Sequence, residues 1–337
     1  MDDRKIAKVS MQHIADAAGV ARSTVSFVLN GKQKEGRISD ELAKKVLETA
    51  KKMNYQFNEV ARSLRTGCTR TIALVVANIA DVFFGTLAYH LQEYTEKKGY
   101  ALIVVNTGEK KERLEPIFRM LTNRSVDGII MVPISNIEEE TIESLNPNIP
   151  MIYIDRYFKS FHTSRVIIDN YEISKIATQL LIGKGCKKIA MITYKESLMH
   201  MQERKRGFVD ALSVLGYYDE TLICEVDYFN SKNEISVFFN EKLKDKRLID
   251  GVFLATGGIS SIAVRCLINM GIKVQKDVQV IGFGRMEMAT EIPIPYVKQP
   301  MEEICKNSFD ILLEQINSKE SKLIDCKLPA SIVIDEL

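Results

Sequence analysis

The sequence lacks the features that mark exported, membrane-spanning and metal-binding proteins. No run reaches about 18 apolar residues, so a membrane span is not expected, and residues 1–5 lead into a polar pattern without an apolar signal region. The six cysteines and four histidines are dispersed, with no CxxC or CxxH pair. We therefore expect a cytoplasmic protein with reduced thiols, no metal site and no membrane partner.

Motifs for nucleotide binding and catalysis are also missing. The stretches Gly257–Gly258 and Gly282–Gly284 superficially look like nucleotide-binding turns, but neither completes a GxGxxG that leads into a helix and a later acidic residue. No nucleophile, base and orienting group can be grouped from the sequence. We therefore predict no cofactor and no catalytic residue, and we do not expect an enzyme.

Charge is divided unevenly along the chain. Residues 1–70 contain fourteen lysines and arginines against eight acidic residues, a balance of +6, whereas the rest carries 32 against 36, a balance of −4. A length of 337 residues suits a small domain joined to a larger one. A basic small domain on a mildly acidic body favours a polyanionic partner at one end only.

The basic segment has the pattern of three short helices. Ser10 is a good N-cap for the first helix, and Gly19 can end it in the left-handed conformation. A second helix is predicted from Arg22 to Leu29, and a third starts at Ser39. The residues predicted to face inward are Met11, Ile14, Ala15, Ala18, Val20, Val25, Val28, Leu29, Leu42, Val46, Leu47 and Ala50.

The second of these helices has an outward face suited to a nucleic acid. Helix, glycine-containing turn and helix follow one another at the length of a DNA-reading helix-turn-helix. The outward face carries a guanidinium, hydroxyls and one aromatic ring, on Arg22, Ser23, Ser26 and Phe27. Since an exposed phenylalanine costs solubility unless something covers it, this face favours DNA contact over a purely structural domain.

From residue 71 onward apolar strands alternate with helices. Strand-like runs lie at 72–77, 101–105, 128–132 and 151–154, and after residues 166–169 the alternation restarts with runs near 189–192, 252–255 and 278–282. Continuous apolar strands between helices predict parallel sheets that are covered on both faces. The predicted core is therefore α/β and two-lobed, with the ligand pocket beyond the carboxyl ends of the strands.

The basic segment, called the head from here on, also resembles a known family. Ser10–Asn30 is similar to the LacI/GalR (lactose repressor) pattern, roughly T-x-x-D-V-A-x-x-A-G-V-S-x-x-T-V-S-R-V-L-N, and the likeness continues through Arg37–Ser39, Met53–Tyr55 and Asn58–Arg65 into the core. The resemblance implies a sequence-specific transcription regulator, typically a repressor, with an all-α helix-turn-helix head and a core like periplasmic sugar-binding proteins. A small ligand between the lobes would control its affinity for a double-stranded DNA operator.

The resemblance implies DNA contacts at matched positions of the head. Arg22 and Ser23 fall where family members read base edges. Phe27 stands where many members have an arginine that would bind guanine through two hydrogen bonds, whereas a phenylalanine can only pack, for instance on a thymine methyl. We therefore predict a half-site that differs at that base pair. The other predicted contacts, chiefly to the phosphate backbone, are Ser10, Thr24, Ser26 and Asn30.

Residues 58–65 predict a short helix that would be unstable alone in water. In the family the matched segment is a hinge that becomes ordered when two copies meet in the DNA minor groove, where Leu64 would wedge between base pairs. The predicted contacts in this segment are Asn58, Ala61, Arg62, Leu64 and Arg65. The predicted domains are a head at 1–57, a hinge and linker at 58–70, and a core at 71–337.

The resemblance places the ligand between two lobes. Asp155 would accept ligand hydroxyls, and Arg204 would pair with hydroxyls or an acidic group. Asp81, Phe83 and Phe84 follow the first strand, where members often stack an aromatic ring on the ligand; for the two phenylalanines, plain packing in the lobe is an equal alternative. The remaining predicted ligand contacts are Thr256, Gly284 and Arg285.

Two family motifs of the pocket are altered. Residues 254–258 stand where Ala-Asn-Asp is common, and residues 282–285 stand where Gly-Tyr/Phe-Asp-Asp is common, so both carboxylates are missing and Arg285 adds a positive charge. Carboxylates bind neutral sugars by accepting hydroxyl hydrogens. We therefore predict a carbohydrate-derived ligand that is anionic, such as a sugar acid, or larger than a monosaccharide.

The lobe boundaries follow from three expected crossings, near 155–168, 293–300 and 325–330. Lobe 1 would contain about 71–160 and 298–325, including the last helix, and lobe 2 about 161–297 and 326–337. With few residues after the last strand, a homodimer on a near-palindromic operator is expected rather than a larger assembly. A transporter's solute-binding protein and an enzyme on a doubly wound fold remain as alternatives, but both leave residues 1–70 unexplained.

Overall fold

The computed structural model describes residues 9–55, 67–135, 137–146, 148–195, 198–243, 248–285, 292–318 and 322–334. The chain divides into two compact units, one up to Gly67 and one from Cys68 onward. The first unit contains helices α1 (Met11–Ala18), α2 (Arg22–Leu29) and α3 (Asp40–Lys52). The predicted three-helix head is therefore confirmed, with α2 at the predicted bounds.

Local hydrogen bonds explain where the head helices begin and end. The Ser10 hydroxyl accepts from the His13 N–H, and His13 Nδ1 accepts from the Ser10 N–H, a reciprocal cap on α1. Gly19 takes φ 69° and its N–H bonds back into α1. Ser39 caps α3 through the Leu42 N–H. The buried apolar residues of the head are Ile14, Ala15, Ala18, Val25, Val28, Ala43, Val46 and Ala50.

One predicted core residue of the head is wrong. Leu47 has 51% of its surface exposed, and Ala43 is buried instead. The buried stripe of α3 runs through Ala43, Val46 and Ala50, and Leu47 lies about 100° around the helix from Val46. A heptad-like spacing admits either residue, so only the direction of the neighbouring helices could decide.

The second unit contains two six-stranded sheets among the described residues. The strands are β1 (Thr71–Val76), β2 (Ala101–Asn106), β3 (Gly128–Met131), β4 (Met151–Ile154), β5 (Ser164–Ile168), β6 (Ile189–Tyr194), β7 (Ile223–Val226), β8 (Gly251–Leu254), β9 (Gln279–Phe283), β10 (Tyr296–Lys298), β11 (Asp325–Leu328) and β12 (Ser331–Val333). The first sheet has the order β11-β5-β4-β3-β1-β2 and the second has the order β12-β10-β9-β8-β6-β7. All described pairings are parallel except β10 with β12.

Helices cover both sheets, as the predicted two-lobed α/β core requires. They are α4 (Val82–Lys97), α5 (Leu114–Asn123), α6 (Glu139–Leu145), α7 (Asn170–Gly183), α8 (Met199–Ser213), α9 (Ser231–Leu243), α10 (Gly257–Asn269) and α11 (Met301–Asn317). The last helix packs on the first sheet, as expected: a Cβ on Gly128 of β3 would lie 2.9 Å from Leu312 of α11.

The first sheet extends further along the chain than predicted. β5 pairs with β4 and β11 pairs with β5, so lobe 1 runs through Ile168 and, in its second segment, through Leu328. The limits expected at 160 and 325 are therefore too early. The run Val166–Ile168 is apolar and follows a loop without a helix, and such a strand can pair at the end of either sheet. Only the pairing itself assigns it.

Candidate functional site

The outward face of α2 brings together the head residues predicted to read bases. Arg22 and Ser23 are exposed in its first turn, and Phe27 is 39% exposed one turn later. Ser26 stands four residues after Arg22, so both lie on one side of the helix. This face offers a guanidinium, two hydroxyls and the edge of an apolar ring to a partner.

The predicted phosphate contacts of the head are partly occupied by local bonds. The Asn30 amide donates to the Ser26 carbonyl at 2.6 Å, which ends α2. The Ser10 hydroxyl caps α1 and is exposed, and Thr24 is half-buried. The five residues predicted in the hinge lie outside the described residues; they are Asn58, Ala61, Arg62, Leu64 and Arg65.

The core site is built around Arg204 of α8, which is 3% exposed. Its Nε donates to Asn170 Oδ1 at 2.8 Å and its Nη1 to the Ala255 carbonyl at 2.7 Å. The guanidinium carbon lies 3.5 Å from the centre of the Phe283 ring. These partners lie at one edge of lobe 2, where β8 and β9 end and α7 begins, so Arg204 is held by that lobe at the carboxyl ends of its strands.

Arg204 also reaches lobe 1. Its Nη2 lies 3.9 Å from Oδ1 of Asp155, the residue after β4. Asp155 takes φ 64°, a left-handed conformation that turns the chain sharply at this point. The two residues predicted to bind ligand from opposite lobes are therefore brought together.

A second buried ion pair lies in lobe 1. Arg156 donates to Glu109, and their side chains are 9% and 5% exposed. Glu109 also accepts from the Ser135 N–H at 3.2 Å. The Arg156 guanidinium lies 5.7 Å from the centre of the Phe84 ring. Sequence reasoning missed Glu109, although a carboxylate shortly after β2 stands near the strand end where ligand groups collect.

Asp81 lies where the two lobes approach each other. Its Oδ1 accepts from the Phe83 N–H at 2.9 Å and so caps α4. A Cβ on Gly258 of lobe 2 would lie 3.6 Å from Asp81 Oδ2. Nearby, the Asn78 amide donates across the lobes to the Tyr228 hydroxyl at 3.0 Å. The described lobes are thus in direct contact around these polar groups.

Two tyrosines of lobe 2 were not predicted. Tyr194 ends β6 and Tyr228 follows β7, and their ring centres are 5.4 Å apart. Burial raises the pKa of both hydroxyls, so both stay neutral near pH 7 and can donate and accept hydrogen bonds. A hydrogen bond joins Tyr194 to Thr256. An aromatic residue at the end of a strand was the only sequence signal for either.

The remaining predicted ligand residues differ in position. Phe84 is buried in the lobe 1 core and Phe83 packs edge-on against it at 5.2 Å, so packing accounts for Phe84. Thr256 caps α10 through the Ile259 N–H. Gly284 takes φ 80° beside Gly257. Arg285 is exposed.

His200 of α8 is a further buried group that sequence reasoning missed. It stands one turn before Arg204 and is 2% exposed. Burial, and then the charges of Arg204 and Arg156, hold the pKa of the imidazole well below its usual value. The ring is therefore neutral at physiological pH.

The described helices include none that is both long and apolar enough to span a bilayer. In the same part of the chain, no three His, Cys, Asp or Glu side chains are grouped so that they could hold a metal ion.

Comparison with known proteins agrees with the fold of the head and of the core. A family model described as "Periplasmic binding proteins and sugar binding domain of LacI family" matches residues 69–334, and one described as "Bacterial regulatory proteins, lacI family" matches residues 10–58. The chain is 31% identical to the HTH-type transcriptional repressor PurR of Vibrio cholerae over 320 residues, 92% of each protein.

Solved structures show the same fold. The Lac repressor dimer bound to operator and the anti-inducer ONPF has a TM-score of 0.81 at 20% identity, covering 97% of this chain and 98% of that one. The transcriptional regulator CelR–cellobiose complex has a TM-score of 0.71 at 24% identity, covering 97% and 99%. The curated relative is a transcriptional repressor, not an enzyme. The chain therefore belongs to the LacI family and is a DNA-binding transcription regulator with a ligand-binding core.

Proposed function

We propose that this regulator is a homodimeric repressor of the cytoplasm whose affinity for a near-palindromic operator is set by a neutral carbohydrate bound between the core lobes. The observation that carries the proposal is that both buried arginines of the described core, Arg156 and Arg204, lie beside a carboxylate. The domain limits proposed above, with a hinge between a head and a core, are retained, with lobe 1 extended to Ile168 and Leu328.

The head would read DNA through α2. Arg22 and Ser23 would contact base edges in the major groove, and Ser10, Thr24, Ser26 and Asn30 would hold the phosphate backbone. Phe27 would pack on an apolar base edge. The family likeness adds the hinge contacts of Asn58, Ala61, Arg62 and Arg65, with Leu64 as the wedge in the minor groove.

Exposed apolar side chains support association of two cores. Three of them, Ile79, Val82 and Tyr89, lie on or just before α4, and Tyr89 is 61% exposed. A fourth, Val104, lies on the neighbouring strand β2. β2 is an edge strand of its sheet. Exposed apolar groups beside an open sheet edge are typical of an interface, and a second copy would bury them symmetrically.

The charges of the core site favour a neutral ligand. Arg156 is paired with Glu109 and Arg204 lies beside Asp155, while Asp81 adds a third carboxylate. The arginines are therefore already compensated, and a sugar acid would meet an excess of like charge. Carboxylates, tyrosine hydroxyls and ring faces suit a polyhydroxylated molecule. The earlier expectation of an anionic ligand thus loses its support, whereas a sugar of more than one unit, as in the CelR complex, remains compatible.

Ligand and operator would be coupled through the lobes. If each prefers one lobe arrangement, each changes the other's affinity by the same factor, typically about 1–3 kcal/mol of coupling free energy. Both release and recruitment of the operator are consistent with this linkage.

The proposal is tested first on DNA. The full-length protein is used to select its operator from random duplexes, and a protein that starts at Thr71 is the control. We expect a specific half-site that only the full-length protein retains, and an absence of any preferred duplex would contradict the proposal. Neutral sugars and the matching uronates are then titrated into the protein–operator complex. Tighter coupling to the uronates would contradict the choice of a neutral ligand.

A further inference from the structure

The loop after α2 folds back against the recognition helix. The Lys32 N–H donates to the Phe27 carbonyl at 2.9 Å, the Gly36 N–H to the Lys32 carbonyl at 3.0 Å, and the Ile38 N–H to the Gln33 carbonyl at 2.9 Å. These three bonds place the backbone of Gly36 directly beside the side chain of Phe27.

No side chain fits at position 36 while the ring stays where it is. A Cβ on Gly36 would lie 2.9 Å from Phe27 Cγ, 3.2 Å from Phe27 Cβ and 3.1 Å from Ile38 Cδ1. Distances of this kind are below the van der Waals contact of two carbon atoms. The φ angle of Gly36 is not in the left-handed region, unlike that of Gly31. Position 36 therefore requires glycine because of space and not because of backbone conformation.

The same contact explains the partial exposure of Phe27. The ring lies against Gly36, and 39% of the residue remains exposed on the outward face of α2. An aromatic side chain fixed in this way before binding loses little rotamer freedom when it meets DNA, which favours both affinity and discrimination. A ring displaced from the glycine would have to swing further out, toward the partner.

We infer that Gly36 is a positioning residue for DNA sequence specificity: it seats the Phe27 ring at the height where the ring contacts its base pair. The inference depends on the proposed role of Phe27 in reading the operator. Gly36 itself need not touch DNA, because it acts through the ring.

The test compares four variants of the full-length chain, G36A, F27A, the double variant and G31A. A Cβ on Gly31 would meet nothing within 4 Å, but its φ of +69° strains an alanine, so G31A perturbs the same loop without touching the ring. Each protein is titrated against the selected operator and against duplexes with the other three base pairs at each half-site position. Thermal unfolding shows that each head is folded.

We expect G36A to change discrimination at one base pair by roughly five-fold or more, the size of a single mismatch, and at the same base pair that F27A alters. In the F27A background G36A should have no further effect on discrimination, and G31A should leave it unchanged. Discrimination by G36A equal to that of the parent, or an equal effect of G36A with and without Phe27, would overturn the inference. A parent protein that prefers no duplex would instead overturn the proposed function.

Discussion

The Arg204 guanidinium stacks on Phe283, with its carbon 3.5 Å from the ring centre, while two of its nitrogens bond to Asn170 and to the Ala255 carbonyl. This geometry needs a planar group with several donors. A lysine would keep the charge but could not reproduce the stack and both hydrogen bonds.

We therefore expect R204K to lower the free energy of unfolding of the core by about 1–3 kcal/mol, because buried acceptors lose their donors. Ligand affinity should fall with it, while a head-only property such as non-specific DNA binding should not change. Calorimetry of thermal unfolding measures the first effect. R206K on the same helix is the control, since Arg206 is exposed. An equal free energy of unfolding for the two variants would refute this role of Arg204.

Glu109 is expected to set the charge preference of the core site. E109Q removes the carboxylate charge that pairs with Arg156, so the site should accept a ligand carboxylate more readily. The affinity for a uronate relative to the matching neutral sugar should rise at least about ten-fold, equivalent to about 1.4 kcal/mol. Isothermal titration calorimetry gives this ratio. E112Q removes a nearby exposed carboxylate and should leave the ratio unchanged; a similar rise in both variants would speak against a local effect.

Tyr89 is expected to lie in the dimer interface. Y89E places a charge on the exposed apolar face of α4, and burying that charge against a second copy is unfavourable. Sedimentation velocity at several protein concentrations should show a dimer for the parent chain and mostly monomer for Y89E. Y218E changes an exposed tyrosine of lobe 2 and should remain dimeric. A dimeric Y89E would place the interface elsewhere.

We expect the stability of the core to depend on pH through His200. Its pKa is lowered by burial in the folded chain, so below about pH 6.5, the ordinary value, the unfolded chain binds a proton that the folded chain does not. Stability from this residue is therefore complete above that pH and is lost as the pH falls, with a slope approaching about 1.4 kcal/mol per pH unit. Urea unfolding between pH 5 and pH 7 should show a shallower slope for H200Q. Identical slopes would mean that the imidazole is protonated in the folded core.

Features set by residues close together in the sequence could be predicted, whereas contacts between residues far apart in the sequence could not. The bounds of α2 were predictable because the turn at Gly19 before the helix and the apolar spacing within it act over a few residues. Arg204 was placed by its family motif, but its partners Asn170 and Phe283 are 34 and 79 positions away in the sequence. Glu109 was missed for the same reason. The assignment of β5 to the first sheet depended on strand pairing, and an apolar run in the sequence does not show which strands it pairs with.

The sheet assignment has a mechanical consequence. The chain passes between the lobes just after Ile168, between Lys298 and Met301, and between Leu328 and Ser331. β5 lies beside β11 in one sheet and β10 beside β12 in the other, so these short connectors are neighbours. Connectors of this length do not allow one lobe to slide past the other. We expect the lobes to rotate about this line of backbone as about a hinge. A molecule bound between the lobes far from the hinge would then have the largest effect on the angle between them.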